Sequence, residues 1–430
     1  WHESVNKTDQ YINEFRELMR FIHAADIHLD AAFSSRSEDI RKRLREASRN
    51  AFKGLVDTAL NEKVDAVLLA GDLFDDSRLS FETERFLLEQ LHRLNQTNTP
   101  VVYATGNHDP GHEGHRSGKL KWPSNVTIAQ DSDPVNISIT RDGENLGTVT
   151  AVGHGSSIET DDLSRFLEPP NSQLPSVAVL HTQVLDSPGS GNHERYAPSH
   201  LDHLKNAGFN YWALGHVHKH SCLCENPGIY YPGNLQGRNH KEIGAKGFLI
   251  VDMSRGASPI VEFKDIAPVR WEDLEIRNPT NASTLDTLVQ NISSRWNMIL
   301  ENNEVSEWMV RVRISGATPL WQELLAEENQ EYLANKLEEH LDVLEATIQI
   351  DNVHPEIRTE NYISREDVLG QILRLMDTVR SGDITSADIP ADQLIGLENK
   401  DQLAEYIKTL LHTGEEEVIT RMLKDITEQQ

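Results

Sequence analysis

The chain carries 41 Lys and Arg against 68 Asp and Glu over 430 residues, a formal net charge of −27, with Cys222 and Cys224 its two cysteines. That length fits two or three domains and a sizeable core, while so few cysteines exclude a disulfide framework. The acidity excludes a surface generally adhesive to nucleic acid, because that affinity rests on Lys and Arg neutralising phosphate; any such contact needs a local basic patch or a basic partner.

Residues 1–18 precede Met19, where the first strand opens, and read as an extension in which Tyr11, Ile12, Phe15 and Leu18 would let a helix dock. The start has no signal-peptide core, and no apolar run approaches membrane-spanning length. The expectation is therefore a cytoplasmic protein with no membrane association. The apolar run Arg20 to Ala25 ends at Asp26-Ile27-His28. Residues 38–62 have helical periodicity, with Ile40, Leu44, Ala47, Ala51, Leu55 and Ala59 on one stripe. Val64 to Ala70 ends at Gly71-Asp72, and residues 80–94 are helical on Phe81, Phe86, Leu87, Leu91 and Leu94. Val101 to Thr105 ends at Gly106-Asn107-His108-Asp109, Val177 to Leu180 at His181, and Tyr211 to Leu214 at Gly215-His216-Val217-His218. Short β-branched runs bounded by Gly, Asp or Pro read as buried strands. Strand-helix-strand alternation predicts an α/β fold with a mostly parallel sheet, whose ligands bind beyond the carboxyl ends of the strands. All five polar motifs fall at that edge.

A single Asp-x-His or Gly-Asp is usually a turn or a strand cap, but five such motifs in order, each after a strand, form a constellation. They supply the donors Asp26, His28, Asp72, Asn107, His181, His216 and His218. A mixed oxygen and imidazole set without thiolate suits hard, water-activating ions, so Mn(II) fits better than structural zinc and Mg(II) is the alternative. Two ions roughly 3.5–4 Å apart can hold a phosphoryl group and activate a bridging water. One carboxylate must join them, and Asp72 is the natural candidate. The run His218, His220, Cys222, Cys224 is a poor zinc site, because its cysteines stand one residue apart and His218 is already used. His112, His115, His154 and His193 read as surface histidines of loops bordering the cleft.

Two basic patches flank the motifs: Arg36, Arg41, Lys42, Arg43 and Arg45 after the first, and Arg116, Lys119 and Lys121 after the third. Each is a candidate DNA contact or an ordinary solvated face. Beyond residue 265 strand-like runs at 274–276, 309–314 and 346–350 alternate with helical stretches near 282–298 and 330–341, which predicts a small β-α-β-α-β unit. Arg311 and Arg313 lie on its middle strand. Ser364 reads as the cap of a helix running to Val379, with Asp367 completing a capping box. Helices follow a linker near 400–411 and 414–428; Leu403, Ile407, Leu410 and Leu411 stripe one, and Val418, Ile419, Met422, Leu423 and Ile426 the other. Such a pair either docks on a partner or packs within the chain. No Walker-type phosphate loop is present, so ATP dependence would need another chain.

At the motif level the chain resembles the calcineurin-like metallophosphoesterases, and within them the SbcD-type DNA repair nucleases of the YhaO-like branch. The matching stretches are Phe21 to Asp30, Gly71 to Asp75, Gly106 to Pro110, Tyr211 to Lys219 and Tyr231 to Arg238. The resemblance covers residues 19–265 strongly and the remainder in layout. It implies a metallophosphoesterase β-sandwich flanked by helices, with a small α+β cap and C-terminal helices. The domains would be an extension (1–18), a nuclease domain (19–265), a cap that positions DNA (266–352), and a linker with partner-docking helices (353–430). It further implies that Asp26, His28, Asp72 and His218 hold one ion, that Asp72, Asn107, His181 and His216 hold the other, and that His108 assists phosphate positioning and leaving-group protonation. In the cap, Arg311 and Arg313 would serve DNA. One departure stands out: some relatives carry a His three residues after the bridging Asp, where this chain has Asp75. The expected protein is a Mn(II)-dependent DNA nuclease subunit, a homodimer within a complex with an SbcC-like coiled-coil ATPase. A phosphatase, a cyclic-nucleotide phosphodiesterase or a weakly catalytic DNA-end scaffold are the alternatives.

Overall fold

The computed structural model describes residues 19–75, 79–111, 119–185, 197–300, 307–355 and 360–380, together with 414, 418 and 419. The chain divides into two compact units, Trp1–Glu272 with Glu304–Val310, and Asp273–Asn303 with Arg311–Gln430.

The first unit is a sandwich of two six-stranded sheets. One sheet holds β1 (Met19–Ala24), β2 (Ala66–Ala70), β3 (Val101–Ala104), β4 (Val126–Ala129), β11 (Gly247–Met253) and β12 (Ile260–Asp265). Its order is β12, β11, β1, β2, β3, β4. The second holds β5 (Val135–Arg141), β6 (Glu144–Ala151), β7 (Ser176–His181), β8 (Tyr211–Gly215), β9 (Ser221–Cys224) and β10 (Gly228–Tyr231). There the order is β5, β6, β7, β8, β10, β9. Strands β1 to β4 run parallel, as do β6, β7, β8 and β10. The margins are antiparallel, with β11 and β12 beside β1, β5 beside β6, and β9 beside β10. The parallel arrangement expected from sequence thus holds for β1 to β4 and for β6, β7, β8 and β10. Short turns return the chain as the hairpins β5–β6, β9–β10 and β11–β12, while β11 reaches β1 antiparallel through a long connection.

Strand periodicity assigns each side chain to a layer. Phe21, Leu68, Val102, Val179 and Tyr211 meet in the core between the sheets. Their neighbours Ile22, Val67, Leu69 and Val101 face outward to α1 (Glu38–Asn61) and α2 (Phe81–Gln96). Ala178, Leu180, Trp212 and Leu214 form a third core with Leu163 and Leu204. Ser37 and Ser80 cap α1 and α2, accepting from the amides of Ile40 and Thr83. The α1 stripe is buried from Leu44 to Ala59, extended by Phe52 and Val56. Phe81, however, is 80% exposed. The buried positions of α2 are Thr83, Leu87, Gln90, Leu91 and Leu94, which recur at intervals of three and four along one face, and Phe81 falls off that face.

In the second unit the sheet order is β13 (Val269–Arg277), β14 (Glu307–Ala317), β15 (Glu345–His354). α4 (Leu285–Leu300) packs on α6 (Glu327–Leu341), and α6 on β15; the short helices α3 (Leu201–Asn206), α5 (Trp321–Leu325) and α7 (Glu360–Ile363) complete the numbering before α8 (Val368–Arg380). Asp367, rather than Ser364, caps α8: its Oδ1 accepts from Gly370 N at 3.1 Å, while Ser364 follows the separate turn α7. The carboxylate sits three residues before the amide it serves, as an N-cap must. Ile419 is buried against Leu369 and Leu373, with Val418 beside them, so those two positions of the last stripe are used within the chain. The remaining positions of the two terminal stripes, and residues 1–18, lie outside the described residues. Among the described residues no helix is long and apolar enough to cross a membrane.

Candidate metal centre

The carboxyl ends of β1, β2, β3, β7 and β8 bring the seven expected donors together. Four of them, Asp26, His28, Asp72 and His216, have φ of 51°, 48°, 53° and 105°. Left-handed backbone is unfavourable for such residues and persists where its surroundings enforce it, commonly at functional sites. Here the enforcement is visible. Ile27 N and His28 N both donate to Asp72 O, and Asp26 accepts from His216 N. Asp109 holds the loops after β2 and β3 together. Its carboxylate accepts from Asp72 N, Leu73 N, Phe74 N, Gly106 N and the Tyr103 hydroxyl. Burial and the nearby Asp72 push the Asp109 carboxyl up. All five partners donate, however, so the ionised form is the one the cradle fits.

Two glycines let the sheets close on each other. A Cβ at Gly215 would lie 1.8 Å from Ala70 O, and one at Gly71, whose φ is +89°, would lie 2.3 Å from His181 Nδ1.

Within the centre, tautomers follow from the outer hydrogen bonds. His181 Nδ1 lies 2.9 Å from Ala70 O, a pure acceptor, so Nδ1 carries the proton and Nε2 the lone pair. That Nε2 is 3.0 Å from Asn107 Oδ1 and 3.5 Å from Asp72 Oδ2. His218 Nδ1 donates to Glu242 Oε1 at 2.8 Å, leaving its Nε2 3.3 Å from His28 Nε2 and 3.4 Å from Asp26 Oδ1. His28 Nε2 is also 3.6 Å from Asp72 Oδ2, and His216 Nδ1 lies 3.3 Å from Asn107 Oδ1. Donor atoms of Asp26, His28 and His218 lie within 4.8 Å of one another, as do those of Asp26, Asp72 and His181. Lone pairs of imidazole and carboxylate turned on one another repel unless a proton or a metal ion lies among them. The donor set therefore fits divalent ions.

Electrostatics divide the imidazoles: burial works against protonation of His181, yet Asp72 and Asp26 raise it. Burial, reinforced by Arg238 and neighbouring imidazoles, keeps His28 neutral, and burial with His181 holds His216 at about 3. For Asp26, burial opposes ionisation but the charge and hydrogen bond of His218 outweigh it and hold the carboxyl at about 2. Burial likewise works against protonation of His218, yet Asp26 and Glu242 raise it to about 9, so metal uptake near neutrality must displace a proton there.

His108 stands exposed at the rim. Its Nδ1 donates to Asp75 O at 3.0 Å, while its own amide donates to Asp72 Oδ1. Its ring belongs to a third convergent group with His28 and Asp72. His154, expected on a surface loop, is buried, its Nε2 donating to His181 O at 2.8 Å; it fixes the main chain of a donor residue. Cys222 and Cys224 belong to none of the convergent groups among the described residues, and His220 bonds Tyr231 O.

The candidate DNA contacts are partly engaged elsewhere. Arg43 bonds Glu307 and Glu46, Arg311 bonds Asp273 at 2.6 and 2.8 Å, and Arg313 lies 3.6 Å from the same carboxylate. Arg41 is half-buried and Lys119 exposed. Arg116, His112, His115 and His193 lie outside the described residues. Sequence reasoning missed Asp109, Glu242 and Arg238 as parts of the centre. Asp109 stood in the Gly-Asn-His-Asp motif, and Arg238 ended the matching stretch from Tyr231, so both were in view without a role.

A carboxylate shared between two imidazole-rich clusters, at the strand ends of a helix-flanked sandwich, defines a metallophosphoesterase. The chain belongs to the calcineurin-like phosphoesterase family, whose model matches residues 19–220. It is 32% identical over 308 residues to the metallophosphoesterase YhaO of Bacillus subtilis, covering 70% of this chain and 73% of that one. It is also 28% identical over 275 residues to the DNA double-strand break repair protein Mre11 of Methanocaldococcus jannaschii, covering 60% and 68%. With the Mre11 of Sulfolobus acidocaldarius it shares 24% over 422 residues, covering 94% and 98%. Family membership makes the chain a metal-dependent hydrolase of the two-ion kind, with donor groups suited to that role.

Proposed function

We propose that this chain is a two-metal nuclease subunit that hydrolyses phosphodiester bonds in DNA, with Mn(II) preferred and Mg(II) as substitute. The observation that carries the reading is Asp72 Oδ2, 3.6 Å from His28 Nε2 and 3.5 Å from His181 Nε2, one oxygen between two clusters. Asp26, His28 and His218 would hold one ion together with Asp72, and Asn107, His181 and His216 would hold the other with it. When bound, the pair of ions supplies water activation and charge stabilisation for in-line displacement at phosphorus. The chain supplies position and protons. His108, fixed through Nδ1, offers Nε2 to the phosphate and to the departing oxygen.

DNA as the substrate is supported by similarity to proteins named for DNA double-strand break repair along nearly the whole chain. Residues 266–352 act as the cap, and Arg41, Arg43, Arg116, Lys119, Arg311 and Arg313 as phosphate contacts. The net charge of −27 makes a basic partner part of the reading, and an SbcC-like coiled-coil ATPase docked on Leu403, Ile407, Leu410 and Leu411, with the nuclease as a homodimer, meets that need. The work would be DNA repair or phage defence in the cytoplasm.

The test offers the full chain with Mn(II), with and without the neighbouring ATPase, three substrates: end-labelled linear DNA, closed circular DNA and a chromogenic phosphodiester. Cleavage of DNA stimulated by the ATPase supports the reading. Turnover of the small diester with no action on DNA would overturn it in favour of a phosphodiesterase. Truncation after Ile389 should spare the small diester while abolishing ATPase association.

A further inference from the structure

Around the first cluster lies an outer set of charges. Glu242, its side chain 10% exposed, accepts through Oε1 from His218 Nδ1 at 2.8 Å. Its Oε2 accepts from Asn234 Nδ2 at 2.7 Å and from Arg238 N at 2.8 Å. Asp75 stands on the other side. Its Oδ1 is 3.0 Å from His28 Nδ1, off the ideal hydrogen-bond line, and no other partner reaches that buried nitrogen. The same Oδ1 accepts from Arg238 Nη1 at 2.7 Å, while Arg238 Nη2 lies 3.6 Å from Glu242 Oε1. Nη2 also comes within 3.3 Å of His218 Nδ1. A guanidinium only donates, so the shorter contact with an ionised carboxylate decides that His218 Nδ1 carries the proton.

The three residues form a chain: carboxylate, guanidinium, carboxylate. Each carboxylate faces the outer nitrogen of one imidazole, and the two imidazoles present their Nε2 atoms 3.3 Å apart. We infer that Asp75, Arg238 and Glu242 act as one positioning brace, which fixes the tautomers of His28 and His218 so that both lone pairs serve the same ion. The inference rests on the two-ion reading above and deepens it.

The brace also joins two loops. Asp75 follows β2, whereas Arg238 and Glu242 follow β10; without Arg238 the two carboxylates would face each other's charge, and each would orient its histidine independently. Asp75 thereby has work of its own at a position where some relatives carry a histidine. Its carboxylate serves the ion's ligands, and its carbonyl orients His108. Outer carboxylates on ligand histidines set ring orientation and basicity, and their removal typically costs about 10- to 100-fold in metal affinity.

The experiment titrates Mn(II) calorimetrically into the EDTA-stripped full chain, counts bound ions by EPR, and melts each metal-free protein. Wild type should take two ions. Asp75→Asn and Glu242→Gln should each keep one ion at wild-type affinity and weaken the other by about 10- to 100-fold. Arg238→Gln should weaken that same ion, and Arg238→Gln with Glu242→Gln should lose less than the two single effects combined, as coupled residues do. Metal-free melts should match the wild type. Two ions bound at wild-type affinity in the variants would overturn the brace and leave the two-ion reading standing. Equal weakening of both ions, or a collapsed metal-free melt, would also overturn it, since the residues would then support the loops generally. A wild type that takes fewer than two ions would bring down the two-ion reading, and the brace with it.

Discussion

The two ends of the same strands handle buried charge in opposite ways. At the amino ends, around a cavity of about 910 Å³ lined by Arg20, Asp65, Arg141 and Asp252, carboxylates are matched with guanidinium groups. Arg20 bonds Asp252, its partner in register across β1 and β11, and Arg141 bonds Asp65. At the carboxyl ends Asp26 and Asp72 are surrounded by imidazoles, an amide oxygen and backbone N–H groups; among the described residues no Arg or Lys is bonded to either. A carboxylate closed off with a guanidinium is finished, because that cation does not give up its proton; one closed off with imidazoles, such as Asp26 beside His218, can exchange the imidazole's proton for a cation from solution. The lesson concerns where function can be read: the unusual end is the one whose charge is balanced by protons that a metal ion can displace.

The contrast can be broken most completely at Asp72. Asp72→Ala removes the oxygen between the clusters, so bound metal should fall to one ion or none and hydrolysis to background; elemental analysis returning two ions per chain would remove Asp72 from its bridging role. A smaller effect is expected at the rim. His108→Ala should retain both ions and lose on the order of a hundredfold in rate, as for removal of a positioned acid–base group, and loss of metal instead would make His108 a ligand.

Acid should distinguish the ends next. His23 lies between the Tyr211 hydroxyl and Leu214 O, and burial holds both it and His154 at about 3. In the unfolded chain both take up protons near 6.5, so stability complete above that pH is lost as pH falls toward 3, at about 1.4 kcal/mol per pH unit for each histidine. Urea titrations of EDTA-treated protein at stepped pH measure that slope, and His23→Phe should reduce it by close to one proton. An unchanged slope would show that His23 is not held neutral. The smallest effect belongs to the amino end. Arg141→Met leaves Asp65 buried without its partner, but Arg141 is 33% exposed, so the loss should be about 1–2 kcal/mol in unfolding free energy. Metal stoichiometry should not change, and a loss of metal would show that the two ends are not independent.

The donors were legible because each terminates a strand, and strand ends announce themselves as apolar runs that stop. The sandwich was less so. Phe21 and Ile22 face different cores, and a fully buried strand shows no alternation of polar and apolar residues from which to tell its two faces. Glu242 was invisible because nothing local marks a glutamate 24 residues after His218 as its hydrogen-bond partner. The same holds for the arginines: the ion pair of Arg311 was invisible because its partner Asp273 lies 38 residues away. The cap of α8 was misplaced by three residues because Ser364 and Asp367 are both good caps, and only the chain reversal after α7 selects between them.

The contact at Gly215 has a consequence for how such a centre can change. Ala70 precedes the loop that bears Asp72, and Gly215 precedes His216; where the two meet, the main chains of different sheets touch with no side chain between them. The donors are thus spaced by backbone thickness, a dimension that substitution cannot adjust. Variation that tunes metal preference or substrate has to enter through the ring outside the donors, at positions such as Asp75 and Glu242, where a side chain can be exchanged while the seam between the sheets stays shut.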